Sequence, residues 1–172
     1  MNRTSVGIFV LRVSLGLGLA FAGLHKFLPS LLDPAHNKAF SAAGFLKGAT
    51  AGQWLDSKGV VNPTHDFWVA LGSNVSLMHV IDTLVVFGEI ACGIALILGL
   101  ATRFSAVMGA LLIGLIYVAG WSFANGPFSE GFYYVVLGGV LAVVGSGAYA
   151  LDTAVAKIPV MQKIPVIKYA LG

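Results

Sequence analysis

Residues 80–100, VIDTLVVFGEIACGIALILGL, decide the fold of this chain. A helix needs roughly 20 mostly apolar residues to cross a hydrocarbon layer of about 30 Å, and this stretch supplies them while carrying Asp82 and Glu89 in its interior. Runs of the same character occupy 6–28, 104–123 and 132–151. All are continuously apolar and rich in Gly, Leu, Val and Ile, whereas the strands of a transmembrane barrel alternate in polarity over about ten residues. The 172-residue chain is 58% hydrophobic and 10% charged, with a mean hydropathy of +0.89. That composition lies outside the soluble globular range. The sequence predicts an all-α, polytopic membrane protein. Four transmembrane helices at about 6–28, 80–100, 104–123 and 132–151 form a bundle, with an outer loop over 29–79 and a basic, apolar tail over 153–172.

The first run resembles a signal peptide, with Arg3 before it and Ala20-Phe21-Ala22 in place of a cleavage site. Its length and its Arg12 oppose cleavage, so a retained helix is expected. Cys92 is the single cysteine and excludes an internal disulfide. Orientation follows the lysines and arginines near the span ends. Arg3, Arg103, Lys157, Lys163 and Lys168 lie on one side against Asp152, while Lys26, Lys38, Lys47 and Lys58 on the other are balanced by Asp33, Asp56, Asp66 and Glu130. Both termini are therefore expected in the cytoplasm, in a plasma-membrane protein, with the long loop and the turn Asn125-Gly126-Pro127 outside.

Structureless loops as long as 29–79 are uncommon. Within it, 37–53 reads as a short interfacial helix with Phe40, Ala43, Phe45 and Leu46 on its apolar side, and Pro63-Thr64-His65-Asp66-Phe67-Trp68 reads as a second helix start. Trp54, Trp68, Trp121 and Tyr133 would gather at the outer interface as an aromatic belt. In the tail, Lys157-Ile158-Pro159-Val160 repeats as Lys163-Ile164-Pro165-Val166, a proline spacing that forbids one regular helix and leaves a strip suited to anionic lipid.

Ionisable residues inside the spans are the candidates for chemistry, because a charge at a helix centre costs about 2.5–3.5 kcal/mol on insertion scales. Arg12, Gly16, Leu19, Gly23 and Lys26 share one face of the first helix, and Asp82 and Glu89 share one face of the second. Antiparallel packing would set Lys26 near Asp82 and let Arg12 reach toward Glu89, with Gly16, Gly18, Gly23, Gly88, Gly93 and Gly99 permitting close approach. Arg103 and Asp152 form a second expected pair. These residues read either as buried ion pairs fixing register or as a site, with Glu89, Asp82 and Arg12 as proton-handling groups.

No phosphate loop, cysteine pair at metal spacing or nucleophile elbow is present, so dinucleotide, iron–sulfur and hydrolase chemistry have no foothold in the sequence and no metal or nucleic-acid partner is expected. His25 and His79 stand at outer helix ends, where they suit an anion-binding mouth better than the mid-span axial ligation of a haem, which is not expected. His36 and His65 read as loop residues.

Arg12-x3-Gly16 with Gly23-Leu24-His25-Lys26, then Ser41-Ala42-Ala43-Gly44-Phe45-Leu46, then Asp82-x6-Glu89-x3-Gly93-x5-Gly99-Leu100-x-Thr102-Arg103, then a glycine-rich fourth run ending at Asp152, together resemble the DoxX/DoxD membrane proteins. The resemblance runs over about residues 10–152, and its loop portion resembles the DoxD branch. It implies a membrane subunit of a thiosulfate:quinone oxidoreductase, which oxidises thiosulfate to tetrathionate at the outer face and passes electrons to quinone with a DoxA-like or other membrane-complex subunit as partner. On that reading Lys26, His25 and His79 would attract the thiosulfate dianion. Trp121, Tyr133 and Tyr134 would flank the quinone, and Glu89 or Asp82 would handle its protons. A noncatalytic accessory subunit of a respiratory or redox-stress complex is the rival expectation, and a carrier for a small solute is a third.

Overall fold

The computed structural model describes residues 3–33, 35, 39–50, 62–121, 128, 130–162 and 169–172. Its eight helices among these residues are α1 (Arg3–Leu32), α2 (Ala42–Thr50), α3 (His65–Gly72), α4 (Val75–Leu98), α5 (Thr102–Gly120), α6 (Glu130–Val144), α7 (Asp152–Val155) and α8 (Pro159–Gln162). Packing joins α1 to α4, α4 to α5, α5 to α6, and α6 back to α1. Helices α1, α4 and α5 are long and apolar enough to cross a membrane, which makes this a multi-pass membrane protein. Their outward faces carry large apolar side chains such as Phe21, Leu84, Phe87, Leu111 and Leu115, all more than half exposed, which a bilayer would cover.

Helix ends follow local chemistry. Asn74 caps α4 by accepting the Leu77 N–H at 3.1 Å. At its other end Gly99 adopts the left-handed conformation, φ 66°, and Gly99 N and Leu100 N donate to the carbonyls of Leu96 and Ala95. This is a complete Schellman motif, and it turns the chain at once into α5. The fourth apolar run departs from the sequence expectation. A span over 132–151 is predicted, but α6 stops at Val144, where Gly145 at φ 85° donates to the Leu141 carbonyl, and positive φ recurs at Gly147 and Tyr149. At about 1.5 Å per residue α6 is about 22 Å long, shorter than the other three.

Two apolar cores result. One joins Leu15, Leu19, Leu96, Ala106 and Leu141 where α1, α4, α5 and α6 meet, with Cys92 and Tyr134 packed against it. The other joins Ala42, Leu46, Trp68, Met78 and Ala119 where the loop helices meet α4 and α5. Two short helices, α2 and α3, lie between α1 and α4, and their apolar sides face the bundle. Asn62 fastens α3 to it: its Nδ2 donates to the carbonyls of Val118 (2.7 Å) and Ala119 (3.0 Å) at the end of α5, where a helix has no internal donors left. Its Oδ1 accepts from Thr64 N and Oγ1, and Thr64 Oγ1 accepts from Trp68 Nε1. Trp54, His36, the turn at 125–127 and the second tail repeat lie outside the described residues.

Candidate functional site

Helices α1 and α4 run antiparallel with their backbones touching. A Cβ at Gly16 would meet the Gly93 carbonyl oxygen at 2.8 Å, and one at Gly23 would meet the Val86 carbonyl oxygen at 2.9 Å. Of the glycines expected to permit this approach, Gly16, Gly23 and Gly93 do so. Gly18 faces Tyr134 on α6, Gly88 faces Leu112 on α5, and Gly99 forms the cap.

This register fixes the charges differently from the sequence expectation. Lys26, one turn beyond Gly23, reaches back toward the membrane interior, and its ammonium donates to both oxygens of Glu89 at 2.5 and 2.6 Å. Glu89 is fully buried, and the Lys26 side chain keeps 22% of its exposure. Asp82, the expected partner of Lys26, instead accepts the N–H of Ala42 at the start of α2. Arg12 does not approach Glu89. Gly16 stands opposite Gly93 and Ile97, so Arg12, one turn further, lies against Gly99, about 15 Å along α4 from Glu89. Its Nη2 donates to the carbonyls of Tyr149 (3.1 Å) and Ala148 (3.4 Å), its guanidinium sits 5.5 Å from the Phe9 ring centre, and Asp152 acts on it electrostatically.

The expected Arg103–Asp152 ion pair is likewise replaced. Asp152 accepts Ala101 N (2.6 Å), Thr102 N (3.0 Å) and Gly172 N (2.9 Å), so its carboxylate caps α5, whose first amides have no intrahelical acceptor. The Arg103 Nε is buried without a hydrogen-bond partner. Two amides at the start of α5 and the Gly172 amide hold the carboxylate in a geometry that a flexible arginine would have to displace.

Beside the Lys26–Glu89 pair lies a cavity of about 290 Å³, at the small end of the roughly 300–1,000 Å³ of ligand pockets. Phe40, Phe45, Leu46 and Trp68 wall it on the loop side, and apolar residues of α4 and α5 line the rest, among them the outward-facing Leu84 and Leu115, so the cavity opens toward the bilayer-facing surface. Lys26 is the charged residue in its lining, and Phe40 also lies over that ammonium, 5.4 Å from ring centre to Nζ. Trp121, Tyr133 and Tyr134 do not line it. Tyr134 turns inward onto Gly18, and its neighbour Tyr133 points outward, 54% exposed, edge-on to Phe132. His25 and His79 are exposed, His25 against Phe21 at 6.1 Å, and neither lines the cavity. No cluster of three or more metal-binding side chains occurs among the described residues.

A family model described as "TQO small subunit DoxD" matches residues 8–170. The chain belongs to the DoxD family. No curated protein and no solved structure matches it. The residues that carry the DoxD resemblance divide between two places. Glu89 and Lys26 meet beside the cavity, while Arg12, Gly99, Thr102 and Asp152 meet at the opposite end. Sequence reasoning missed Phe40 and Trp68 as cavity walls and Asn62 as the clasp of α3. Phe40, Ala43, Phe45 and Leu46 marked a short apolar helix in the sequence, but a face against protein and a face against lipid have the same composition.

Proposed function

We propose that this DoxD-family chain is the membrane subunit of a quinone-linked oxidoreductase and that the Lys26-walled cavity takes the lipophilic acceptor. One observation carries the reading: a fully buried carboxylate in a membrane-crossing helix is paired with Lys26, the one cation among the described residues that lines an apolar cavity. A pair serving register alone has no need of a cavity beside it. The lining suits a quinone, since aromatic and aliphatic walls match its ring and tail and a single ammonium matches a carbonyl oxygen.

When bound, a quinone supplies acceptor chemistry for two electrons and two protons. Lys26 orients the acceptor by donating to its oxygen, and Glu89 holds the ammonium through both carboxylate oxygens. The rest of the lining among the described residues is apolar, so the pair is the proton-carrying group next to the reduced oxygen. The electrons come from thiosulfate, two dianions joining through a new S–S bond as tetrathionate, with a DoxA-like or other partner subunit completing that half on the outer side. His25 and His79, exposed at the cavity end, are available to attract the anion.

The same reading makes α6 a fourth, short span and sets both termini in the cytoplasm of a plasma-membrane protein, with α2, α3 and the cavity toward the outside. Basic residues Arg3, Arg103 and Lys157 at the opposite end support that orientation. The test is thiosulfate-driven reduction of a quinone analogue by membranes carrying the chain with its copurifying partners. Glu89→Gln is expected to abolish turnover while leaving assembled protein at wild-type level. Unchanged turnover would leave Glu89 a structural role, and no reduction by the wild type with any partner would favour the accessory-subunit reading.

A further inference from the structure

The sequence marks Asp82 as a proton-handling group, but its carboxylate is committed elsewhere. Asp82 lies two turns from Glu89 on α4, and its Oδ1 accepts the Ala42 N–H at 2.5 Å. Ala42 is the first residue of α2, and the amide of its third residue, Gly44 N, donates to the Ser41 hydroxyl at 3.1 Å. A carboxylate at a helix start satisfies an orphan donor and complements the positive end of the helix dipole.

Helix α2 and the residues before it supply Phe40, Ala42, Phe45 and Leu46 to the cavity wall, with Phe40 over the Lys26 ammonium. Helix α2 also packs its apolar side against Trp68, Met78 and Ala119, a contact that fixes a surface but not a direction. The Asp82 bond is directional and joins α2 to the same helix that carries Glu89. Helix α3 has its own clasp through Asn62, so release of Asp82 frees α2 without freeing the whole loop.

We infer that Asp82 is a positioning residue, a latch that holds α2 and Phe40 closed over the Lys26 side of the cavity and so sets how tightly the acceptor is retained. The inference rests on the acceptor-site reading for its effect on turnover, but the latch itself is measurable without turnover. The first arm uses protein with Trp54→Phe and Trp121→Phe, which leaves Trp68 as the reporter in the cavity wall, and reads quenching by aqueous acrylamide. Asp82→Ala is expected to raise the quenching constant at least about twofold through local opening. Asp82→Asn, whose amide oxygen accepts the same N–H, is expected to match the parent.

In the thiosulfate-to-quinone-analogue assay, Asp82→Ala is expected to raise KM for the analogue about tenfold, the loss of one hydrogen bond to a charged group, with kcat within about twofold. Asp82→Asn restores the wild-type value. If Asp82→Ala does not fold, Ala42→Pro removes the donor instead of the acceptor at a first helical position that tolerates proline, and the same opening is expected. Equal quenching in parent, Asp82→Ala and Ala42→Pro overturns the latch. So does an Asp82→Asn variant as inactive as Asp82→Ala, because that result assigns Asp82 to proton transfer. A wild type that shows the quenching pattern but no quinone reduction keeps the latch and removes the oxidoreductase reading.

Discussion

Two basic residues share one face of α1, and the two ends of the bundle treat them in opposite ways. Arg12 is fully buried in packed structure. Its Nη2 donates to the Ala148 and Tyr149 carbonyls, which pins the 145–151 segment across the α4–α5 turn, while its Nε and Nη1 are buried without a hydrogen-bond partner. Asp152, which acts on it electrostatically, is itself held by backbone amides. Lys26 meets a side-chain carboxylate directly and keeps one flank on an apolar cavity. The first arrangement turns one arm of the charge onto fixed backbone dipoles. The second concentrates two charges beside empty space, where a small change of partner or protonation has a large effect. A buried charge thus marks a site only where the packing around it is incomplete.

The comparison is sharpest in turnover. Glu89→Gln is expected to lower quinone-linked turnover by roughly 10²–10⁴-fold, the usual contribution of a positioned acid–base group. Arg12→Lys, which keeps a cation at the packed end, is expected to leave turnover per assembled molecule within about twofold of wild type while lowering thermal stability, since a lysine cannot reproduce the planar fork. An Arg12 variant that assembles normally and loses turnover would erase the distinction between the ends.

Stability gives the next effect. Lys26→Ala strands a buried carboxylate and is expected to cost about 3–5 kcal/mol in a denaturation series. Removing Glu89 as well, in Lys26→Ala with Glu89→Ala, is expected to recover a large part of that loss. Additive costs would mean the pair is not coupled. The smallest effect belongs to the packed end: Gly99→Ala combines a strained left-handed backbone with a Cβ driven into the Arg12 guanidinium, and is expected to cost about 1–3 kcal/mol with turnover of the folded fraction preserved. No loss of stability in Gly99→Ala would show that this end is loosely packed.

Much of the fold was legible because length and apolarity are one-dimensional properties. The runs around 6–28, 80–100 and 104–123 coincide with α1, α4 and α5, and the glycine face of α1 does meet α4. The fourth run misled because apolar composition continues past Val144, whereas the helix is ended by the backbone of Gly145. The site was half legible. Glu89 and Lys26 were singled out as buried charges, but their pairing depends on a register offset of about one turn and on the reach of a lysine side chain, which spacing alone does not resolve. The partner of Asp82 was not legible because it is a backbone amide forty residues away in sequence, and a backbone donor leaves no signature in residue type.

The central claim is that the acceptor sits against Lys26 and not at the aromatic girdle that the sequence points to. Photolabelling of the purified protein with an azido-quinone, followed by peptide mapping, tests it most directly. Label on the α4 segment containing Ile81, Leu84 and Val85 and on the α5 segment containing Leu112, Leu115 and Ile116, competed away by unlabelled quinone, is the predicted result. Competable label confined to Trp121 and Tyr133, or to the Arg12 end, would contradict it.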